Sequence, residues 1–315
     1  MKKIISMMLF LTSAIGFCEN LKNFIVFGDS LSDNGNLYEY MQHQLPLSPP
    51  YFNGRFSDSP VWVEQLAKIY YPSNTSQHLL DYAFGGAGVS EDPEMELLFT
   101  LKHEIDGYLL SHQDKADPDS LFVVWIGANN YLAQSEVNDQ AIDEVITGIQ
   151  HSLQSLVDAG ARHFLVLNLP DLGIVPYARM FGMEEMLRKF SVDHNQRLAA
   201  TVDTFKHKYP QTEWLTYDVY TRLSDAVQNP AKYGFTNIQD VCYESLMPKS
   251  LLAQAKPHGY SMLNVASHVK AHTLSNGQCD GFLFFDLVHP TGMAHEIIAN
   301  DIKNMLDTMG IQFTG

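Results

Sequence analysis

The sequence contains few cysteines and lacks the short motifs of several common enzyme classes. Its three cysteines form no Cys-x-x-Cys pair and no Cys/His ligand spacing, so a cysteine-bound zinc site is not expected. The 13 histidines include no His-Glu-x-x-His, which excludes a zincin. Gly-x-Ser-x-Gly is missing as well, so a standard α/β-hydrolase nucleophile elbow is not expected. We therefore expect no metal and no other cofactor.

Basic residues are also scarce. Lys and Arg together number 20 against 36 Asp and Glu, which gives a formal net charge of −16. A field of this sign repels nucleic acid and anionic membrane surfaces. We expect no nucleic-acid partner, whereas a neutral or zwitterionic partner is easier to accommodate.

Only the N-terminus carries a long apolar run. Met1-Lys2-Lys3 precedes it, and residues 4–17 are mostly apolar. A positive start followed by such a segment predicts a secretory signal peptide at residues 1–18, cleaved near Cys18. A retained N-terminal anchor is the alternative. No later stretch is long and apolar enough to span a membrane, so residues 19–315 are expected to form one secreted domain, extracellular or in a bacterial periplasm.

Two cysteines, Cys242 and Cys279, remain after the predicted cleavage. A small, even number of cysteines in a secreted chain predicts one disulfide. From about residue 220 to 278 the helix and strand patterns weaken, and prolines and glycines interrupt the chain. A long segment of this kind inside a compact chain is often a lid or a binding loop.

Apolar runs and helical patterns alternate along the rest of the chain. The predicted strands cover residues 24–27, 79–84, 121–126, 164–167 and 214–217. The predicted helices cover residues 61–70, 93–110, 140–159, 184–209 and about 291–309. This alternation predicts crossover connections and a central parallel sheet with helices on both faces, a three-layer α/β/α sandwich.

Polar residues and glycines follow the first three predicted strands. Ser30, Gly86 and Asn129 stand at these positions, and the carboxyl ends of parallel strands meet at one edge of the sheet. A serine becomes a nucleophile when a base, oriented by a third group, takes its proton, and His289 with Asp286 can supply both. The backbone N–H groups of Ser30 and Gly86 and the Asn129 amide are candidate oxyanion donors. Each residue taken alone could equally be a cap or a turn residue.

These residues lie in blocks that resemble those of the GDSL, or SGNH, hydrolases. The blocks are Gly28-Asp29-Ser30-Leu31-Ser32-Asp33-Asn34-Gly35-Asn36, Tyr82-Ala83-Phe84-Gly85-Gly86-Ala87, Gly127-Ala128-Asn129-Asn130 and Asp286-Leu287-Val288-His289-Pro290. They span nearly all of the chain after the predicted signal peptide. One departure is Asn130, where the family more often has Asp, but that position is not the oxyanion donor.

The resemblance implies a flavodoxin-like α/β/α fold and ester hydrolysis through an acyl-enzyme. In this scheme Ser30 attacks, His289 shuttles the proton and Asp286 supports His289. Ser30, Gly86 and Asn129 form the oxyanion hole, and the choice of Gly86 over Gly85 rests on alignment of the block alone.

Within the family, the secreted bacterial lysophospholipases A and glycerophospholipid:cholesterol acyltransferases are the most similar branch. That branch implies a lysophospholipid or phospholipid substrate and a sterol as a candidate acyl acceptor. It also implies a lid at residues 242–279 that an activating protease could open. The alternatives are a carbohydrate or small-ester deacetylase that uses the same site, and a non-catalytic surface-binding protein with a relic site.

Overall fold

A computed structural model of the protein describes residues 20–90, 99–243 and 278–314. The strands are β1 (Asn20–Leu21), β2 (Asn23–Gly28), β3 (Leu79–Asp81), β4 (Ser120–Trp125), β5 (His163–Leu167), β6 (Glu213–Tyr217), β7 (Asn237–Val241), β8 (Phe282–Phe284) and β9 (Gln312–Phe313). Five of them form a parallel sheet in the order β3-β2-β4-β5-β6. Two short parallel pairs, β1 with β9 and β7 with β8, lie beside it.

Helices connect successive strands of the central sheet. They are α1 (Asn36–Tyr40), α2 (Trp62–Tyr70), α3 (Thr75–His78), α4 (Leu101–Ser111), α5 (Ala128–Leu132), α6 (Asp139–Ala159), α7 (Pro176–Phe181), α8 (Glu184–Lys208), α9 (Val219–Gln228) and α10 (Gly292–Thr308). Short 3₁₀ helices cover Leu172–Ile174 and Pro230–Tyr233. Among the described residues, no helix combines the length and apolarity needed to cross a bilayer.

The sheet is buried on both faces, as expected for parallel strands between two helical layers. Ile25 and Phe27 of β2 belong to one hydrophobic core, which includes buried residues of α4, α6 and α8. Phe24 and Val26 of the same strand belong to a second core, which includes residues of α2, α9 and α10. The predicted three-layer α/β/α sandwich with a central parallel sheet is therefore confirmed.

Four of the five predicted central strands agree with the structure to within one residue at each end, but the second is shorter than predicted. Strand β3 ends at Asp81 because its carboxyl oxygen Oδ1 turns back to accept the N–H of Ala83 at 2.9 Å. Such an Asx-type turn interrupts the regular strand geometry. The N–H groups of Tyr82 and Phe84 still donate to the β2 carbonyls of Val26 and Gly28, at 2.8 and 3.1 Å, before the chain enters the loop that holds Gly85 and Gly86.

The predicted helix at 93–110 also differs from the structure. Helix α4 begins at Leu101, after Thr100 caps it by accepting the N–H of His103. Residues 91–98 lie outside the described part of the chain. Hydroxyl residues favour helix N-caps over helix interiors, which explains the later start.

Regular structure continues after residue 220, although the helix and strand patterns of the sequence are weak there. Helix α9 buries Val219, Leu223 and Ala226, which share one face, and strand β7 pairs in parallel with β8. A disulfide joins Cys242, which directly follows β7, to Cys279, which precedes β8, and their Cα atoms are 5.2 Å apart. The predicted lid falls mainly on residues 244–277, and the predicted signal peptide on residues 1–18. Both lie outside the described residues.

Candidate active site

Ser30 occupies a tight turn directly after β2. The carbonyl oxygen of Asp29 accepts the N–H groups of both Ser32 and Asp33, at 2.9 and 3.0 Å. The carboxylate of Asp29 also accepts the N–H of Leu31 at 3.0 Å. These bonds hold the residues on either side of Ser30 and present its hydroxyl at the carboxyl edge of the sheet.

A hydrogen-bonded chain links Ser30 to the C-terminal loop. His289 Nε2 lies 2.8 Å from Ser30 Oγ, and His289 Nδ1 lies 2.7 Å from Asp286 Oδ2. The other carboxyl oxygen of Asp286 accepts the backbone N–H groups of Val288 and His289 at 2.9 and 2.7 Å. The Asp-x-x-His spacing therefore closes a small loop that aims the carboxylate at its own histidine.

Asp286 is fully buried, yet it is held in the ionised form. Burial by itself would raise the pKa of Asp286. The charge of His289 and the hydrogen bonds to the carboxylate outweigh burial, so the pKa lies below its usual value. A carboxylate that stays charged can orient the imidazole and stabilise it when it takes up a proton.

The three candidate oxyanion donors differ in how the structure places them. Neither Ser30 nor Gly86 shows a hydrogen-bond partner for its backbone N–H within the described ranges. Asn129 lines the same cleft as Ser30 and His289, and its Nδ2 donates to the carbonyl of Ala87 at 2.7 Å. An amide nitrogen has two N–H groups, so one remains for a ligand. Gly86 does not line the cleft, although its neighbour Ala87 contacts Asn129.

The structure distinguishes Gly86 from Gly85. The N–H of Gly85 donates to Asp33 Oδ2 at 2.7 Å, so that donor is occupied. Gly86 has φ of +80°, a conformation that favours glycine. These features support the choice of Gly86 over Gly85. Asn130 has a structural role, because its amide exchanges two hydrogen bonds with the backbone of Val89.

Several residues support the site although the sequence patterns assigned them no role there. Tyr51 donates its hydroxyl to Asp286 Oδ2 at 2.7 Å, and the Phe56 ring centroid lies 5.0 Å from that of His289. Asp33 accepts the N–H groups of Gly35, Asn36, Leu37 and Gly85, which joins the Ser30 turn to the Gly85-Gly86 loop. No local signal could have identified the Tyr51 contact, since the two residues are 235 positions apart.

Buried carboxyl groups surround the Ser30 turn. Burial raises the pKa of Asp29 and of Asp33 to about 6, against the opposing effect of their backbone hydrogen bonds. Burial also raises the pKa of Glu104 well above its usual value. Within the described ranges, no group of three or more His, Cys, Asp or Glu side chains is arranged to hold a metal ion.

The cleft beside Ser30 is lined chiefly by apolar side chains from several loops and helices. Its apolar members are Leu31, Trp125, Ala128, Leu132, Pro170, Leu172, Ile174, Val175, Leu223, Leu283, Phe284, Val288, Pro290 and Ile298. The polar residues that line the cleft are few, namely Asp29, Ser30, Asn129, Asp171 and His289. An apolar pocket with a few convergent polar groups is the usual form of a small-molecule binding site.

A serine, a histidine and an aspartate in this geometry, at the carboxyl edge of a parallel α/β/α sheet, define the serine-hydrolase type of site. Comparison with known families agrees with this class. The family described as GDSL-like lipase/acylhydrolase matches residues 24–302, nearly the whole described chain. The protein therefore belongs to the GDSL-like lipase/acylhydrolase family, which makes it a carboxylic-ester hydrolase.

Two relatives show the range of proteins to which the chain is similar. It is 30% identical over 309 residues to the phosphatidylcholine-sterol acyltransferase of Aeromonas hydrophila, covering 90% of each chain. It is 25% identical over 287 residues to the thermolabile hemolysin of Vibrio parahaemolyticus, covering 89% of this chain and 63% of the hemolysin. Among solved structures, the carbohydrate acetylesterase Est24 of Sinorhizobium meliloti aligns with 12% identity and a TM-score of 0.42, covering 90% of this chain and 99% of that one. That likeness is too weak to bear on function.

Proposed function

We propose that the protein is a secreted serine esterase that cleaves fatty-acyl esters of lysophospholipids or phospholipids through an acyl-enzyme. The observation that carries this proposal is the Ser30–His289–Asp286 chain at one end of an apolar cleft. The hydrogen bonds supply an activated hydroxyl, and the apolar walls suit a fatty-acyl chain better than a sugar.

The proposed reaction begins with attack of Ser30 Oγ on the ester carbonyl carbon. His289 Nε2 takes the hydroxyl proton, and the carbonyl oxygen becomes an oxyanion. When the intermediate collapses, the ester C–O bond breaks, and His289 returns the proton to the departing lipid alcohol. Water then attacks the acyl-Ser30 ester by the same steps, which releases the fatty acid and restores the serine.

The N–H groups of Ser30 and Gly86 and the Asn129 amide are the proposed donors to the oxyanion. Donors that are already oriented need little rearrangement as charge develops, which lowers the barrier. The short bond from Asn129 to Ala87 and the bond from Gly85 to Asp33 support this role, because they fix two parts of the donor set before substrate arrives.

Acyl transfer to a sterol requires only that the sterol hydroxyl replaces water in the second step. The acyltransferase relative favours this possibility for the present chain. An apolar cleft would also exclude water, which increases the share of acyl groups that reach an alcohol. We therefore include a sterol as a proposed acceptor beside water.

The test is incubation of the purified protein with defined phospholipids and lysophospholipids, with and without cholesterol, followed by product analysis. We expect free fatty acid in both cases and a sterol ester when cholesterol is present. Ser30→Ala should abolish all products and labelling by a fluorophosphonate. Ser120→Ala removes a buried hydroxyl from the opposite end of the sheet and is the matched control.

Failure on every lipid, with Ser30 still labelled, would contradict the lipid assignment and favour the deacetylase alternative. A series of esters with increasing acyl length separates the two, because an acetyl preference would conflict with the apolar cleft. Absence of labelling at Ser30 would favour the non-catalytic alternative. We also propose, from the sequence, that the protein is exported with cleavage near Cys18 and that a protease activates it by cutting within residues 242–279. Mass spectrometry of the exported protein checks both proposals.

A further inference from the structure

The phenol of Tyr51 and the imidazole of His289 donate to the same carboxyl oxygen. Tyr51 Oη and His289 Nδ1 each lie 2.7 Å from Asp286 Oδ2, which we call the shared oxygen. The other oxygen accepts two backbone N–H groups. The carboxylate therefore accepts four hydrogen bonds, two at each oxygen, and Asp286 has no exposure to solvent.

We propose that Tyr51 is a positioning residue of the triad, which orients the Asp286 carboxylate and tunes how strongly the shared oxygen attracts His289. This inference rests on the proposed catalytic role of the triad. It adds a fourth side chain, from a loop that lies 235 positions earlier in the sequence.

Packing restricts Tyr51 to this position. Its side chain is 1% exposed, and its ring makes edge contacts with Phe56 and Phe285 at centroid distances of 5.9 and 5.1 Å. The Ser48 hydroxyl donates to the Tyr51 carbonyl at 2.6 Å, which anchors the backbone. Burial raises the pKa of Tyr51 well above its usual value, and Asp286 raises it further. The hydroxyl therefore remains a donor throughout the pH range in which an esterase works.

A second donor on the shared oxygen has two effects on His289. It locks the carboxylate so that the shared oxygen faces the imidazole, which favours attack by Ser30. It also draws negative charge away from the bond between Asp286 and His289. The protonated imidazole is therefore stabilised less than it would be if Tyr51 did not donate to the carboxylate. The second effect has a definite sign, and a purely structural tyrosine would not produce it.

Other titratable groups also act on His289. Asp29 from the β2 turn and His295 from α10 both interact with it electrostatically. These groups, together with Asp286, are unchanged in variants at position 51. A change that appears only in such variants therefore reports on the Tyr51 hydroxyl.

The test compares Tyr51→Phe with wild type on a soluble short-chain ester, so that lipid binding does not enter. We expect kcat to fall about tenfold to a hundredfold, the rate equivalent of one hydrogen bond to a charged group, with little change in KM. The acidic limb of the pH–kcat profile should move to higher pH, because the imidazolium gains stability. Tyr217→Phe is the matched control, since Tyr217 donates to Asp301 Oδ2 at 2.7 Å outside the cleft, and it should leave the profile unchanged.

Replacement of Tyr51 by 3-fluorotyrosine tests the same idea without removing the ring or the hydroxyl. The fluorinated phenol is a stronger donor, so the acidic limb should move in the opposite direction, to lower pH. This variant retains the packing and covers the case in which Tyr51→Phe does not fold.

A proton spectrum gives a readout that does not need turnover. The His289 Nδ1–H resonance should move downfield in Tyr51→Phe and upfield with 3-fluorotyrosine, because the bond to the shared oxygen strengthens and then weakens. An unchanged resonance together with an unchanged acidic limb would overturn the proposed role of Tyr51. The esterase assignment would still stand if Ser30→Ala abolishes activity. If the wild-type protein hydrolyses no ester, the proposed function is contradicted. The Nδ1–H resonance would still decide whether Tyr51 tunes the hydrogen bond between Asp286 and His289.

Discussion

The carboxyl group of Glu104 accepts the backbone N–H of Gly28 at 2.8 Å, directly below the turn that holds Ser30. Glu104 belongs to α4, whereas Gly28 is the last residue of β2. The side chain is almost completely buried, and the N–H of Phe84, just before the Gly85-Gly86 loop, donates to the carbonyl of Gly28 at 3.1 Å. Glu104 thus holds the end of the strand that leads to Ser30, and the backbone of the same residue, Gly28, holds the start of the Gly85-Gly86 loop.

This relationship predicts that Glu104→Ala is strongly destabilising and Glu104→Gln is not. Alanine leaves the Gly28 N–H buried without a partner, which costs about 1–3 kcal/mol, whereas the glutamine carbonyl can still accept that bond. Urea unfolding measures both. Glu144→Ala, at an exposed position of α6, is the control and should change stability by less than about 0.5 kcal/mol. Equal losses for the Gln and Ala variants would show that the Gly28 bond is unimportant.

Asn129→Ala should lower kcat by about a hundredfold to a thousandfold and leave KM nearly unchanged. The proposed donor acts on the oxyanion, which exists only after attack, so ground-state binding does not depend on it. Steady-state kinetics on a soluble ester checks this. Asn168→Ala is the control, because Asn168 follows the neighbouring strand β5 and bonds to Asp218, outside the cleft. A rise in KM at constant kcat would assign Asn129 to substrate binding instead.

Gly85→Ala and Gly107→Ala should have opposite effects on stability. A Cβ at Gly85 would lie 2.3 Å from Cε2 of Phe56, whose ring packs against His289, so both stability and activity should fall. A Cβ at Gly107, inside α4, meets nothing within 4 Å. Alanine there should stabilise the protein by about 0.5–1 kcal/mol. Thermal unfolding and esterase rates measure the pair, and a neutral Gly85→Ala would show that Phe56 can move without cost.

Stability should decrease as the pH rises from about 4 to about 6. In the folded protein burial raises the pKa of Asp29 and Asp33 to about 6, so these groups bind protons there that the unfolded chain has already released. Their stabilising contribution is complete below the unfolded value of 3.8, and each group loses up to about 3 kcal/mol across this window.

Burial raises the pKa of Asp81 and Glu104 as well, so they act in the same direction. Burial lowers the pKa of His194 and His295 to about 3, so these two groups oppose the trend in this window, but the four carboxyl groups outnumber them. Asp286 also has the opposite sign, but its lowered pKa places its effect below pH 3.8.

Urea unfolding at several pH values checks this window. Asp29→Asn retains an oxygen that can accept the Leu31 N–H but cannot titrate, so the variant should show a flatter dependence between pH 4 and 6. Stability that rises through the window in the wild-type protein would contradict the raised pKa values.

The sequence predicted the first, third and fourth central strands well because each contains an uninterrupted apolar run, and a parallel strand buried on both faces has that composition. The edge strand β6 was predicted from a shorter run that includes the exposed Thr216. The sequence predicted β3 poorly. The residues after Asp81 are apolar too and keep two backbone bonds to β2, but the side-chain bond from Asp81 to Ala83 interrupts the regular strand. Strand β7 was not predicted because it is short, largely polar and partly exposed. Helix α9 was not predicted although Val219, Leu223 and Ala226 form a short apolar face.

The residues of the candidate triad could be predicted from the sequence for a related reason. Ser30 follows an apolar strand directly, and Asp286 and His289 are close enough in the chain to form a local loop. Their meeting across the sheet edge, with His289 Nε2 at 2.8 Å from Ser30 Oγ, follows from the parallel topology that the strand pattern predicts.

The sequence by itself thus determined the fold class, the family and the residues of the proposed triad, since these depend on local composition and short spacing. Only the tertiary structure decided which residues support them. Tyr51 contacts Asp286, Glu104 contacts Gly28, and Asp33 accepts the N–H of Gly85, whereas the N–H of Gly86 has no partner among the described residues. These contacts join distant parts of the chain through single hydrogen bonds, and such bonds form only after packing has placed donor and acceptor within about 3 Å of each other.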